Sequence, residues 1–256
     1  MIILTILLIL IFFCWGSFLN AFAYRLMINK SIITKRSACP HCNQPLLWYD
    51  LIPVLSFIIL KGKCRFCKKS ISWLYPFIEV ITALSFYLII ICTPSTYWLA
   101  YMIFCSALIV NTRTDLQMMV IPRCTSLYLA PIGPLLACLK LLPITLLQSI
   151  LGGVCGYFIL WTIAKIFFYI KKEQGMGEGD FELMALIGSF TGIIGTLASL
   201  FWSSIIGSII GISLIITGKG TRLTKLPFGP LLAFGALMYI LWPQLLTILV
   251  GNSSSF

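Results

Sequence analysis

The feature that most restricts the fold is a succession of apolar stretches of membrane-spanning length, separated by short basic segments. The first 23 residues, Met1 to Ala23, carry no charged side chain. A spanning helix needs about 20 predominantly apolar residues, roughly 17–25. On that ruler the chain holds eight: residues 2–24, 75–92, 97–112, 125–142, 146–170, 181–199, 200–217 and 228–250. Only 10% of the 256 residues are charged and 60% are hydrophobic, whereas soluble domains run at about 25% charged. Water-soluble, disordered and coiled-coil folds are thereby excluded. The expected class is an all-α polytopic membrane protein, embedded in the lipid bilayer through about eight transmembrane helices.

Eighteen Lys and Arg against seven Asp and Glu give a net charge of +11. In a soluble chain this would suggest nucleic acid. Here the cytoplasmic enrichment of Lys and Arg explains it better, and no nucleic-acid partner is expected. Nine of the 18 lie between Arg25 and Lys69; others sit at Arg113 and Arg123, Lys171 and Lys172, and Lys219, Arg222 and Lys225. Met1 to Ala23 lacks the basic segment that precedes a signal-peptide core, so it reads as a retained helix running from outside to inside. With eight spans, every basic cluster faces the cytoplasm and both termini lie outside. The organisation predicted is a first span over 1–24, a polar cytoplasmic insertion over 25–74, two spans over 75–112, and a membrane domain over 113–256.

The insertion contains Cys39-Pro-His-Cys42 and Cys64-Arg-Phe-Cys67, separated by 21 residues. Each Cys-x-x-Cys pair can present two thiolates from one turn, and two such knuckles complete a tetrahedral four-sulfur site. The interval is one residue beyond the usual zinc-ribbon spacing. Disulfides are disfavoured in a reducing cytoplasm. A closed four-thiolate zinc site is structural rather than catalytic. The only histidine, His41, lies inside the first knuckle, which starves any Ser-His-Asp or Cys-His nucleophile system. No phosphate loop or dinucleotide fingerprint is present.

Ionisable groups at membrane depth are expensive and point to function. Among the seven acids, Asp115 and Asp180 both fall at the inner ends of predicted spans. Asp115 precedes Ile121-Pro122, and Asp180 closes Gly177-Glu-Gly-Asp180. Two carboxylates that share one proton can act together, one activating water and the other protonating a scissile carbonyl. Each also has a simpler reading: Asp180 as a helix-capping acid, and Asp115 as a salt-bridge partner of Arg113 or Arg123. Spacing alone does not bring the two together.

The motifs taken in order resemble one family, the type IV prepilin peptidases. The blocks are Gly16-Ser-Phe-Leu-Asn-Ala-Phe-Ala-Tyr-Arg25, the two knuckles with Leu51-Ile-Pro-Val-Leu-Ser56 between them, the second within Gly62-Lys-Cys-Arg-Phe-Cys67, then Ile71-Ser-Trp-Leu-Tyr-Pro-Phe-Ile-Glu79, Asp115 to Pro122, Gly177-Glu-Gly-Asp180 and Pro227-Phe-Gly-Pro230. The resemblance implies a bifunctional aspartic peptidase and N-methyltransferase of the bacterial cytoplasmic (inner) membrane. Asp115 and Asp180 would be its catalytic pair, Cys39, Cys42, Cys64 and Cys67 would bind structural zinc, and S-adenosylmethionine would be the methyl donor. Its substrates would be prepilins or type II secretion pseudopilins. The methyl-donor site has no readable fingerprint; Gly16, Asn20, Gly62 and Glu79 are candidates only because they lie in matching blocks.

The chain departs from the family pattern at three places. Met27 stands where Pro is frequent, Arg123 where Asp is frequent, and Glu182 where Lys is frequent. Two other readings stay open: a peptidase whose zinc insertion is only a scaffold or substrate dock, and a transporter or assembly protein with structural zinc.

Overall fold

A computed structural model describes residues 2–28, 37–173, 175–218 and 226–244. Its regular elements are α1 (Ile2–Met27), α2 (Leu55–Ile59), α3 (Leu74–Cys92), α4 (Trp98–Met118), α5 (Ile132–Cys138), α6 (Leu146–Lys171), α7 (Glu178–Ile216) and α8 (Gly229–Leu241). Among the described residues there is no strand, only two isolated bridges. Five helices are long and apolar enough to cross a membrane: α1, α3, α4 with its preceding turn, α6 and α7. The all-helical membrane class is borne out. The expected basic cluster Lys219, Arg222 and Lys225, the end of the last span near residue 250 and the polar tail 251–256 lie outside the described residues. The chain divides into two compact units, Met1–Ile91 and Cys92–Phe256.

In the first unit α1 packs on α3 through a small residue. A Cβ at Gly16 would stand 3.0 Å from both the Glu79 Cα and the Thr82 side chain, so the two backbones approach as small residues allow in membranes. Phe12 meets Phe86 edge-on at 5.3 Å. Asn20, fully buried, donates its amide to the Tyr75 carbonyl at 2.9 Å.

In the second unit, α7 packs mainly on α6 and α8. The α6–α7 seam is built from glycines at van der Waals closeness. A Cβ on Gly152 would lie 2.3 Å from the Gly188 carbonyl oxygen, one on Gly188 2.0 Å from the Gly152 oxygen, and one on Gly156 2.5 Å from the Met184 oxygen. Each obstacle is backbone, which cannot rotate away. Gly188→Ala is therefore expected to lower the detergent-solubilised melting temperature substantially, the overpacking costing about 1–3 kcal/mol or more. Gly211→Ala, which meets only a Leu226 methyl at 3.9 Å, is expected to leave it nearly unchanged. Thermal unfolding of the two variants side by side checks this.

Two expected spans are realised differently. Helix α7 covers 39 residues, which as one rod would measure about 58 Å, nearly twice the hydrocarbon thickness. It is interrupted at Gly192, whose φ of 70° and ψ of −174° belong to a region open essentially to glycine alone. There the chain folds back: a Cβ on Gly188 would stand 2.8 Å from the Thr196 hydroxyl, whereas eight residues of straight helix would separate them by about 12 Å. The break between the sixth and seventh predicted helices thus falls at residue 192 instead of 199–200. Hydroxyls of Thr191, Thr196 and Ser199 bond to carbonyls one turn back, keeping polar backbone near the bend satisfied.

The fourth predicted span, 125–142, is not a span. Residues 123–131 run as consecutive turns, and α5 is seven residues long, about 10 Å. Pro131 and Pro134 supply no backbone N–H, so a helix running on from the preceding turns would lose bonds at both; α5 instead starts after Pro131 and takes Pro134 into its first turn, where an N–H has no helical partner. The apolar side chains of this stretch are only partly enclosed: Gly133 lies against the Ser189 backbone and Leu136 and Ala137 are buried, while Leu127, Tyr128, Leu135 and Leu139 stay exposed.

Candidate functional site

The cysteine knuckles form first from local backbone. In the first, the Cys39 N–H donates to the Gln44 carbonyl and the Asn43 N–H to the Cys39 carbonyl; in the second, Cys64 donates to Lys69 and Lys68 to Cys64. Asn43 (φ 55°) and Lys68 (φ 58°) occupy equivalent left-handed positions. The two turns are copies of one another, 25 residues apart in sequence. Together they bring the four sulfurs of Cys39, Cys42, Cys64 and Cys67 within 4.8 Å of one another, with Cys39 and Cys67 3.8 Å apart. Backbone N–H groups of Cys67 and Phe66 aimed at the Cys64 sulfur lower its thiol to about 7. Such a group can hold a metal ion through thiolates. Arg65 braces the second knuckle by a bidentate pair to Asp50, closest at 2.8 Å, and lies 5.0 Å over the Tyr49 ring.

The four methyl-donor candidates separate into two places. Gly16, Asn20 and Glu79 meet at the α1–α3 contact described above. There the Glu79 carboxylate is buried, accepts the Val54 N–H at 2.8 Å and takes a hydrogen bond from Ser17. Val54 adopts φ 61°, ψ −48°, a strained conformation for a β-branched residue. Gly62 lies elsewhere in the unit. At φ +67° it stacks over the Phe57 ring, 3.0 Å from where its Cβ would be, and borders an open groove of about 770 Å3 with Ser70, Ile71 and Trp73. Gly16 and Asn20 are consumed by helix packing; the Glu79 carboxylate is held by Val54 and Ser17, and the groove is open. Val54 was not singled out from sequence, since nothing in Leu51-Ile-Pro-Val-Leu-Ser56 marks its left-handed backbone.

In the second unit Asp115 sits one turn before the end of α4, where Asn111, Arg113 and Thr114 are also buried. Half of the span carrying these polar residues is enclosed by other helices, which explains their place in an apolar helix. The Asp115 Oδ2 accepts the N–H of Gly229 at 2.9 Å. Gly229 opens α8, so a positive helix terminus points at the carboxylate. Glycine is required there: a Cβ would stand 2.9 Å from the Asp115 oxygen. Asp180 is the third residue of α7 and its carboxylate takes the Gly177 N–H, the return half of a capping box. Ile121 links the two: it fills the space beside Gly179, where a Cβ would meet it at 2.8 Å, and beside Gly229, at 3.4 Å. The capping role of Asp180 and its approach to Asp115 are therefore compatible. The salt-bridge reading of Asp115 fails. The ion pairs among the described residues are Arg65–Asp50, Arg123–Glu178 and Arg123–Glu182.

Two departures from the family pattern prove to be one feature: Arg123 and Glu182, each bearing the opposite of the frequent charge, face one another at 2.8 Å.

The fold and site define an all-helical, multi-pass membrane protein with a four-cysteine insertion near its start and two carboxylates brought together from helix ends 65 positions apart. The chain belongs to the type IV leader peptidase family. Residues 102–212 match the model of that family, and residues 10–93 match the bacterial peptidase A24 N-terminal domain. A prepilin leader peptidase/N-methyltransferase of Bacillus subtilis (strain 168) is 34% identical over 239 residues, 91% of this chain and 93% of the relative. One of the same description from Aeromonas salmonicida (strain A449) is 35% identical over 218 residues, 85% of this chain and 75% of the relative. A type 4 prepilin-like proteins leader peptide-processing enzyme of Escherichia coli O78:H11 is 34% identical over 245 residues, 88% and 89% of the two chains. No solved structure matches the chain.

Proposed function

We propose that this protein removes the short basic leader from type IV prepilins or type II secretion pseudopilins and methylates the new N-terminus. The observation that supports the reading is the junction of helix ends at Ile121, which packs beside Gly179, the neighbour of Asp180, and beside Gly229, which bonds to Asp115. One carboxylate, ionised, takes a proton from water as it attacks the scissile carbonyl; the other, protonated, donates to the carbonyl oxygen. The Gly229 N–H fixes Asp115 for that exchange. The peptidase domain is then the membrane domain over 113–256, and both the pair and the insertion face the cytoplasm, where the basic segments belong.

Zinc suits the four sulfurs. A zinc–sulfur distance of about 2.3 Å in a tetrahedron sets sulfurs about 3.8 Å apart, and Cys39 and Cys67 are 3.8 Å apart. The ion would pin the two knuckles of the insertion over 25–74. S-adenosylmethionine, when bound, supplies a methyl group on a sulfonium to the free amine. Glu79 suits a cationic partner, a sulfonium or an ammonium, because it is a buried carboxylate with two fixed hydrogen-bond donors. The groove beside Gly62 has the volume of a small-molecule site, about 300–1,000 Å3.

Mass spectrometry of a pilin precursor co-expressed with the protein tests the reading. Leader removal plus one added methyl on the new N-terminus is expected. Glu79→Gln is expected to lower methylation by about tenfold or more while the leader is still removed. Leader removal without methylation in the unmodified protein would leave the insertion as scaffold or substrate dock.

A further inference from the structure

We propose that Arg123 and Glu182 are a positioning pair that holds the two carboxylates in register, an inference resting on the reading of Asp115 and Asp180 as the reacting groups. The segment 119–126 leaves α4 immediately after Asp115, turning at Met119 (φ 53°). It is fastened at both ends. On the α4 side Asn111, one turn before Asp115, donates to the Thr125 carbonyl at 3.1 Å and accepts the Thr125 hydroxyl. On the α7 side the Arg123 Nε donates to Glu182 Oε1 at 2.8 Å, and its Nη2 to Glu178 Oε2 at 3.2 Å. The Ser126 hydroxyl donates to the other Glu182 oxygen at 3.2 Å.

Glu182 stands two residues after Asp180 and its side chain is 6% exposed. Both of its oxygens are occupied by the segment that follows Asp115. Just ahead of these anchors in the chain, Ile121 wedges against Gly179 and Gly229. The segment is thus a strut joining the helix of one aspartate to the helix of the other. An exposed ion pair would contribute little, but a carboxylate shielded as Glu182 is becomes costly once its cation is removed. Losing the pair lets the first turn of α7 shift relative to α4, and a displacement of about 1 Å at a reacting group can cost about 100-fold in rate.

The test is steady-state leader removal from a purified pilin precursor by the full-length protein in proteoliposomes. The variants are Arg123→Glu, Glu182→Arg and the double exchange, each with its thermal transition recorded. Each single change is expected to lower kcat by about 10- to 100-fold with KM altered by less than about threefold. The double exchange is expected to recover kcat to within about tenfold of the unmodified protein. Singles that keep both thermal transition and kcat would overturn the proposal, as would a double exchange no better than the worse single. If Glu182→Arg does not fold, Arg123→Gln and Glu182→Gln replace the set. Their double should then cost no more than either alone, and multiplying losses would overturn the pair. Asp115→Asn measured alongside separates the two claims. Full turnover there overturns the aspartate reading and the strut with it. Loss there, with unchanged turnover in the Arg123 and Glu182 variants, overturns the strut alone.

Discussion

Asp115→Asn and Asp180→Asn are each expected to reduce leader removal by about 1,000-fold or more, and the double variant to be no worse than either single. The reason lies in the division of labour. Asparagine keeps the size and hydrogen-bond acceptor of aspartate but can neither accept the water proton nor carry one to the carbonyl. The Gly229 N–H that bonds to Asp115 retains an oxygen to bond to, and so does the Gly177 N–H at Asp180. The fold should therefore survive, and the melting temperature of each variant should stay close to that of the unmodified protein. Substrate capture by the inactive variants should persist as well. A variant that retained more than a few per cent of the turnover would remove that aspartate from the reaction. Gly229→Ala should behave differently. It pushes a methyl group against the Asp115 carboxylate and would cost stability and rate together.

The second large effect concerns the cysteines. Cys39→Ser with Cys64→Ser, or extraction by a strong chelator, is expected to abolish metal content and unfold the insertion. Little else holds that segment. Between residues 37 and 73 the described chain has two isolated bridges, one five-residue helix, one four-residue 3-10 helix and Phe57 as its only buried large apolar side chain. Structural zinc contributes apparent free energies of about 10–16 kcal/mol in small zinc-binding peptides. No packing in the insertion could replace that. Metal analysis should give one zinc per unmodified chain and none in the variant. Limited proteolysis should then cut within 37–73, and methylation should be lost. The aspartate pair lies in the other compact unit, so leader removal should persist at a reduced level. A folded preparation of the unmodified protein with no zinc would remove the metal from the account.

Parts of this protein are legible in the chain because they rest on local physics. An apolar run long enough to cross the bilayer must be a helix, since no water is present to satisfy its backbone. α1, α3 and α6 accordingly lie within a few residues of where length and composition put them, while α4 runs on to Met118, six residues past the expected end, and so takes in Asp115. A Cys-x-x-Cys turn needs only its own backbone to aim two sulfurs, so the metal group could be named from spacing. The aspartates could be singled out because charge at membrane depth is rare, and ordered motifs tied them to a family.

What only the tertiary structure decided involves contacts over long separations or choices to which composition is blind. Residues 125–142 are apolar enough to span, yet their prolines and a close approach to α7 leave them as consecutive turns and one short helix. The reversal at Gly192 is set by one backbone conformation among nineteen glycines, and packing of Gly188 on Gly152 selects it. The anchor of Asp115 is an amide 114 residues away, and Val54 reaches Glu79 only by adopting a strained φ. Arg123 and Glu182 each read as an anomaly in sequence. They become intelligible as a pair because folding places them 2.8 Å apart, one on the turn after α4 and the other in the first turns of α7.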